Sequence, residues 1–353
     1  MSTHKKDILS LELDALANEM IILNEKKFRG VQIFEWLHQK DCYTWQGMNN
    51  LPKALIEKLE EQAYITEMQM VTKQTSAHDG TTKFLFKLWD GQFIETVLMR
   101  YDYGNSVCIS TQAGCRMGCT FCASGLNGLE RNLTTGEMLR QVYAVEKEIG
   151  KRITHVVLMG TGEPLDNYDA VLGFIKMITH EKGKNLSQRH ITLSTCGLVD
   201  GIRRLASEKL QINLAISLHA SDDELRKQTM PIAKKFSIDD ILTACEAYFM
   251  NTGRRITFEY ALIAGHNDHP SQARALADLL RFRKFKCHVN LIPINNVVEK
   301  SFMKSNQKDV ARFRDILLDK KVETTVRRSL GTDIDAACGQ LRFNTLTNNI
   351  MLK

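Results

Sequence analysis

Residues 114–125 read GCRMGCTFCASG, which sets Cys115, Cys119 and Cys122 in a Cys-x3-Cys-x2-Cys run. With nine cysteines in 353 residues, roughly 0.006 such triplets are expected by chance, so composition does not explain the spacing. Three thiols on a glycine-bearing loop can hold a soft metal. Three ligands leave one coordination position open, whereas a structural zinc site closes all four. A cubane iron–sulfur cluster held by three cysteines keeps one iron free for a small ligand. A zinc site completed from afar, by His155 or by another cysteine, is the competing reading of the same residues.

Other residues with chemical capacity sit at the ends of short apolar runs. MGTGEP brings Gly162 and Glu163 to the end of one run; Ser194 ends the next; Ser217, Leu218 and His219 end a third; Asn295 follows a later one. Each has a plain explanation alone: a turn, a helix cap, a core histidine. Their shared location is what counts. Two more sulfurs flank the set. Cys108 lies seven residues before Cys115, and Cys338 lies in GTDIDAACGQL, beyond the last run. A free cysteine usually behaves as a small buried hydrophobe, and Cys42, Cys196, Cys245 and Cys287 read that way. Glu95 shares a strand face with Phe93, Val97 and Met99, where a carboxylate is either turned to solvent or held for a purpose.

The elements that must position these residues follow from periodicity. From residue 106 onward, β-branched runs alternate with helical stretches. The strands expected are 106–111, 154–160, 190–195, 212–218, 256–262, 287–293 and 322–326, and the helices between them 134–149, 168–180, 237–251, 271–283 and 306–319. Such alternation means parallel strands joined by right-handed crossovers. A full or partial β/α barrel fits, with the polar residues at the carboxyl ends of strands, where barrel enzymes place chemistry. A doubly wound sheet is the alternative, disfavoured by the lack of a GxGxxG after the first strand. Upstream, TKFLFKLW-Asp90-Gly91-QFIETVLM reads as a β-hairpin with a two-residue turn. The first 65 residues read as short helices over 7–22, 30–39 and 53–62, with a basic turn at Lys26, Lys27 and Arg29.

Composition sets bounds on this picture. Hydrophobic residues at 43% and charged residues at 25% describe a globular chain and exclude a disordered tail, a collagen-like chain and a coiled-coil rod. The length fits about two domains. Forty-seven basic against 41 acidic residues give +6, compatible with a polyanionic partner but weakly diagnostic. No apolar run approaches the ~20 residues that span a bilayer. The N-terminus has no apolar core of the signal-peptide kind, so a reducing cytoplasm is the expected address, with no disulfide framework.

A Cys-x3-Cys-x2-Cys run after the first strand of a β/α barrel resembles the radical S-adenosylmethionine (SAM) superfamily. More specifically, CISTQAGCRMGCTFCASGLNGLERNLT, MGTGEPLDNYDAV, ITLSTCG, INLAISLHA, HVNLIPIN and DIDAACGQLR resemble, in order from about residue 27 to 343, the RlmN/Cfr family of radical SAM RNA adenine methyltransferases. KFRGVQIFEWLHQK resembles that family's accessory RNA-binding domain. The resemblance implies a partial (β/α)6-type radical SAM barrel over 106–343, ending in a catalytic-cysteine loop. It also implies a helical RNA-binding domain over 1–65, a β-hairpin extension over 66–105 and a tail over 344–353.

It further implies a 4Fe–4S cluster on Cys115, Cys119 and Cys122, and SAM bound by Gly162, Glu163, Ser194, Ser217, Leu218, His219 and Asn295. Two SAM molecules are used per turnover. One methylates Cys338; the other is split to a 5′-deoxyadenosyl radical that takes hydrogen from the Cys338 methyl group. The methylene radical adds to an adenine carbon too electron-poor to attack SAM itself. Cys108 then resolves the adduct as a Cys108–Cys338 disulfide, with Glu95 as the proton acceptor. A reductant such as flavodoxin or ferredoxin serves the chemistry, and the partners are 23S rRNA and tRNA. Gly-Glu-Pro at 162–164, IPIN at 292–295 and CGQLR at 338–342 match the housekeeping branch, which methylates adenine C2, over the resistance branch, which methylates C8. Cys196 departs from the Ser or Ile usual in the family.

Overall fold

The computed structural model describes residues 5–294 and 302–334. Its centre is a ten-stranded sheet, counted among the described residues, whose strands lie side by side in chain order. Three antiparallel strands come first: β1 (Gln69–Thr75), β2 (Thr82–Lys87) and β3 (Phe93–Tyr101). Seven parallel strands follow: β4 (Gly104–Cys108), β5 (His155–Leu158), β6 (Ile191–Thr195), β7 (Asn213–Ser217), β8 (Ile256–Leu262), β9 (Cys287–Pro293) and β10 (Thr324–Val326). All seven expected strands are present, each within a few residues of its expected bounds.

Parallel neighbours require a crossover, and a helix supplies each one. The helices α1 (Leu13–Ile22), α2 (Phe28–His38) and α3 (Lys53–Gln62) precede the sheet. The crossover helices are α4 (Thr135–Ile149), α5 (Tyr168–Ile178), α6 (Val199–Ser207), α7 (Asp223–Thr229) with α8 (Ile238–Thr252), α9 (Pro270–Arg281) and α10 (Gln307–Asp319). Six crossovers make the partial (β/α)6 barrel. The sheet curls far enough that Thr81, from the β1–β2 turn, and Leu330, beyond β10, line one cavity.

The extension differs from expectation in two ways. It has a third strand, β1, and through β3 and β4 it continues the barrel sheet instead of standing apart. Its turn also holds one residue more than expected. Leu88 N donates to Gln92 O at 2.8 Å, leaving Trp89-Asp90-Gly91 as the loop, with Gly91 at φ +85°. A three-residue hairpin needs a left-handed third residue, and glycine takes that conformation without steric cost.

The N-terminal helices share one apolar core with the barrel. Leu16, Phe34 and Leu37 are wholly buried in the same cluster as Met138, Val142 and Phe174. Gly136 N donates to Ser10 Oγ at 2.8 Å, and Lys184 Nζ meets Asp41 at 2.9 Å. At the centre of this junction His38 is fully buried, with Nδ1 2.8 Å from the Tyr143 hydroxyl. Burial, then the nearby positive charges of Lys184 and His180, push its pKa down from 6.5 to about 3.

A histidine with a lowered folded-state pKa costs stability as pH falls below its unfolded value, because only the unfolded chain takes up the proton. Acidifying from pH 6.5 to about pH 5 is therefore expected to cost about 2 kcal/mol through His38 alone. His38→Gln should remove that share. Chemical denaturation at the two pH values checks this, and an unchanged pH dependence in the variant would count against it.

Candidate active site

The cysteine loop hangs from a small clasp. Gln112–Gly114 pairs antiparallel with Leu129–Asn132, and Cys115 N donates to Gly128 O at 2.8 Å. Gly114, at φ +85°, leaves no room for a Cβ, which would stand 2.1 Å from Gly128 O. On its far side the loop is tied to α7 by Thr120 N donating to Thr229 O at 2.8 Å. Cys115, Cys119 and Cys122 are half-buried on the wall of one cavity of about 360 Å³, within the ~300–1,000 Å³ usual for small-molecule sites. Burial pushes the Cys115 thiol up to about 12 and raises Cys119 as well. A metal that replaces the proton would favour the deprotonated form of Cys115 and Cys119 that burial opposes.

Glu163 lies beside them on the cavity wall, 3% exposed. Its Oε1 accepts from Leu165 N at 3.0 Å and its Oε2 from Cys196 N at 2.8 Å. Its own N donates to Gln112 Oε1 at 2.8 Å, so the clasp and the Gly-Glu-Pro turn are tied together. Burial raises the Glu163 pKa, against the pull of these hydrogen bonds. Gly162, at φ +113°, lets the turn pass Gln112, whose side chain a Cβ would meet at 2.7 Å.

The next strand ends complete the wall. Ser194 Oγ donates to Glu259 Oε2 at 2.7 Å, and Ser217 Oγ stands 3.4 Å from the same oxygen. His219 takes a left-handed backbone, φ +57°. Its Nδ1 accepts from Ala261 N at 2.9 Å, which leaves Nε2 as the N–H of the neutral ring. Burial, then Arg226, push its pKa down to about 3. Phe121 meets the ring edge-on at 4.9 Å. Leu218 is buried behind the wall and contributes its carbonyl, which accepts from Arg226 Nε at 3.2 Å.

Cys108 is buried and lines the same cavity. Glu95 is not turned to solvent: it is 3% exposed, and its Oε2 lies 3.0 Å from the fully buried Lys83 ammonium. Val97, two residues along the same face, pairs with Cys108 across the sheet. Asn295 and Cys338 lie outside the described residues.

The arrangement matches known proteins. The sequence signature of the Radical SAM superfamily covers residues 109–277, and that of the ribosomal RNA large subunit methyltransferase N-terminal domain covers 6–65. A protein of Clostridium novyi (strain NT) named "Probable dual-specificity RNA methyltransferase RlmN" is 50% identical over 98% of this chain and 100% of its own. One of the same name from Alkaliphilus oremlandii (strain OhILAs) is 52% identical over 98% and 99%. This chain belongs to the RlmN family. A crystal structure of a radical SAM methyltransferase from Sphaerobacter thermophilus superposes with a TM-score of 0.89 at 42% identity, covering 95% of this chain and 98% of that one. The protein is a radical SAM RNA methyltransferase, and its family uses a 4Fe–4S cluster and SAM.

The residues present fit those groups. Among the described residues, no three His, Cys, Asp or Glu side chains converge on a point that one ion could occupy. The three thiols line one cavity, which suits a cluster in which three irons each take one thiolate and the fourth is left open. His155, the distant zinc ligand considered above, sits at the amino end of β5, stacked on His190 at 4.3 Å and away from the cysteines. Glu163, Glu259 and the two serines offer acceptors suited to an ammonium and to ribose hydroxyls.

Sequence reasoning missed several residues that line or brace the cavity. Glu259 falls inside the expected strand 256–262 and Gln112 just beyond the expected strand 106–111, and neither stands out there. Arg226 lies in DELRKQT, which has no apolar period, yet it is wholly buried and donates to Cys196 O at 2.6 Å. Arg327 and Arg328, exposed at the cavity rim, follow the last strand, and nothing in the local sequence marks them. Cys196, read as a bland hydrophobe, is buried but lines the cavity beside Glu163.

Anaerobic reconstitution of the wild type should give about four irons per chain. Cys115→Ala, Cys119→Ala and Cys122→Ala should each lose iron and the charge-transfer absorption of the cluster. Tightly bound zinc, with no iron-dependent SAM cleavage, would restore the zinc reading.

Proposed function

We propose that this enzyme methylates C2 of adenosine 2503 in 23S rRNA, and C2 of the adenosine beside the tRNA anticodon, through a methyl group carried on Cys338. One observation supports this most. Cys108, at the end of β4, and residues 327–330, which lead toward Cys338, line the cavity that also holds the three cluster thiols. Strands β4 and β10 are far apart in the sheet, and only its curl brings these two parts of the chain to one space.

When bound, the cluster and SAM supply an organic radical able to take a hydrogen atom from a methyl group. The chain's own residues do the rest. The Cys338 thiolate takes the methyl group from SAM by displacement, for which sulfur is well suited. After addition to the base, the adduct would lose its ring proton and, back to the bound cluster, one electron. The Cys108 thiolate then attacks the Cys338 sulfur, the sulfur–carbon bond breaks and the freed carbon takes up a proton as the product methyl group, leaving a Cys108–Cys338 disulfide. Glu95, paired with Lys83, accepts the proton that leaves the base. A flavodoxin- or ferredoxin-like reductant reopens the disulfide, which suits a reducing cytoplasm. No helix among the described residues is long and apolar enough to cross a membrane.

The accessory helices supply the RNA contact. Lys26, Lys27 and Phe28 are exposed, and Lys26 and Lys27 make no ion pair among the described residues. Arg29, third cation of the turn, is already engaged: its Nη1 donates to Gln32 Oε1 at 2.7 Å and to Asn50 O at 3.0 Å, and its guanidinium lies over the Phe28 ring. Free lysines beside an exposed ring suit phosphate contact with base stacking. Because the helices share the barrel's core, point charges test this more cleanly than truncation. Lys26→Glu with Lys27→Glu should weaken RNA binding and reduce the slope of log affinity against log salt by about 1.4–1.8. Fluorescence anisotropy over a salt series reads this, and an unchanged slope would remove the turn from the interface.

The sulfur roles are separable. Cys338→Ala should keep its cluster but lose both protein and RNA methylation. Cys108→Ala should still methylate Cys338 and attack RNA, then stall as a covalent protein–RNA adduct. Denaturing gels with and without ribonuclease show that adduct, and mapping the methyl group on rRNA distinguishes C2 from C8. Methylation of RNA by Cys338→Ala would overturn the scheme.

A further inference from the structure

Strands β1 and β10 are the two outer strands of the sheet, yet the turn after β1 touches the chain that leaves β10. Three hydrogen bonds cross this gap, in both directions. Asp333 Oδ1 accepts from Ser76 Oγ at 2.6 Å, and Asp333 Oδ2 accepts from Ala77 N at 2.8 Å. In return, Asp79 Oδ2 accepts from Gly331 N at 2.8 Å. The turn is itself stiff. Ser76 N donates to Thr81 O at 2.8 Å, and Thr81 N donates to Asp79 Oδ1 at 2.9 Å. Ser76 is buried, and Gly331 is buried with φ +61°, a conformation that presents its N–H to Asp79 without strain. Thr81 and Leu330, at either side of the crossing, both line the cavity.

We propose that the turn from Ser76 to Thr81 is a latch that anchors the chain just before Cys338, and that Ser76, Asp79 and Asp333 are positioning residues for methyl transfer. The inference rests on Cys338 as the methyl carrier. Its physical content is tether length. Cys338 lies five positions beyond Asp333, a reach of at most roughly 18 Å. Without the latch, the nearest sheet anchor is Arg327, whose N donates to Leu291 O at 2.8 Å, eleven residues before Cys338. Local concentration falls as about the three-halves power of tether length, so release alone dilutes the sulfur about threefold at the cavity. Lost orientation adds to this, since a misplacement of about 1 Å can cost a hundredfold. Cys338 must meet SAM, the base and Cys108 in turn, so every stage depends on where its tether starts.

The test compares Asp333→Ala, Asp79→Ala, Ser76→Ala and Cys338→Ala in the reconstituted full chain. Iron content and melting temperature report structure. Cys338 methylation by mass spectrometry, kcat and KM for RNA, and 5′-deoxyadenosine released per methyl transferred report positioning. For the three latch variants, iron content should stay at the wild-type value and the melting temperature should drop only slightly. The kcat for RNA methylation should fall about threefold or more, KM for RNA should hold, and 5′-deoxyadenosine per methyl should rise. Asp333→Asn, which keeps an acceptor oxygen, should recover part of the loss. If Asp333→Ala fails to fold, the smaller change Ser76→Ala decides. Wild-type kcat and coupling in the latch variants beside an inactive Cys338→Ala overturn the latch alone. An active Cys338→Ala overturns the carrier reading and the latch with it.

Discussion

The cavity depends on how the carboxylate of Glu163 is held. A carboxylate taken out of water must be met by donors, or it protonates. Glu163 finds them in Leu165 N, within its own turn, and in Cys196 N, at the end of β6. That second bond fixes the spacing between the ends of β5 and β6. The Cys196 carbonyl is in turn held by Arg226, which also holds the Leu218 carbonyl at the end of β7. From the other side, Gln112 accepts from Glu163 N while its Nε2 donates to Asn132 Oδ1 at 2.8 Å and Asp166 Oδ2 at 2.9 Å. One buried acid therefore sets the cysteine clasp and three strand ends in register. The chain accepts the cost of burying Arg226 among carbonyls because those carbonyls would otherwise lack partners.

What the sequence made legible follows from how local each cause is. The cysteine spacing, the Gly-Glu-Pro turn and the seven β-branched runs are local, and the structure puts them where they were expected. The elements that escaped lack a local cause. Strand β1, QMVTKQT, is exposed almost throughout, so it has no alternation to read; it exists because β2 offers an edge. Helix α6 is nine residues long with a glycine inside, and α7 is seven residues, four of them charged. Both are set by the crossovers they complete. Glu95 could not be assigned either way because its partner, Lys83, is twelve residues upstream, and only the hairpin register brings the two together. Burial of both groups explains the pairing, since a lone charge in that position would be far costlier than the pair.

The turn at Trp89-Asp90-Gly91 shows why the extension is no appendage. Arg131, on the outer strand of the clasp, reaches Asp90 Oδ2 with Nε at 2.5 Å. It also clamps Glu137 with two bonds, at 2.7 and 2.8 Å. Glu137 is the third residue of α4 and closes the capping box with Thr134. One guanidinium thus joins the hairpin, the clasp and the start of α4. Paired, fork-shaped bonds of this kind fix orientation as well as distance.

The same helix carries the accessory domain. Ser10 meets the amino end of α4 through Gly136, and His38 meets its middle through Tyr143. A continuous packed path therefore runs from the basic turn of the N-terminal helices, through their common core with α4, to Arg131 and the clasp. On the proposed reading, RNA bound at the turn would lie in a geometry that this shared core sets relative to the thiols. Sequence-independent phosphate contacts can then position a large substrate, while the choice of base is left to the cavity. A freely linked domain would raise local concentration without fixing orientation, and the proposed addition to one carbon of one base would require both.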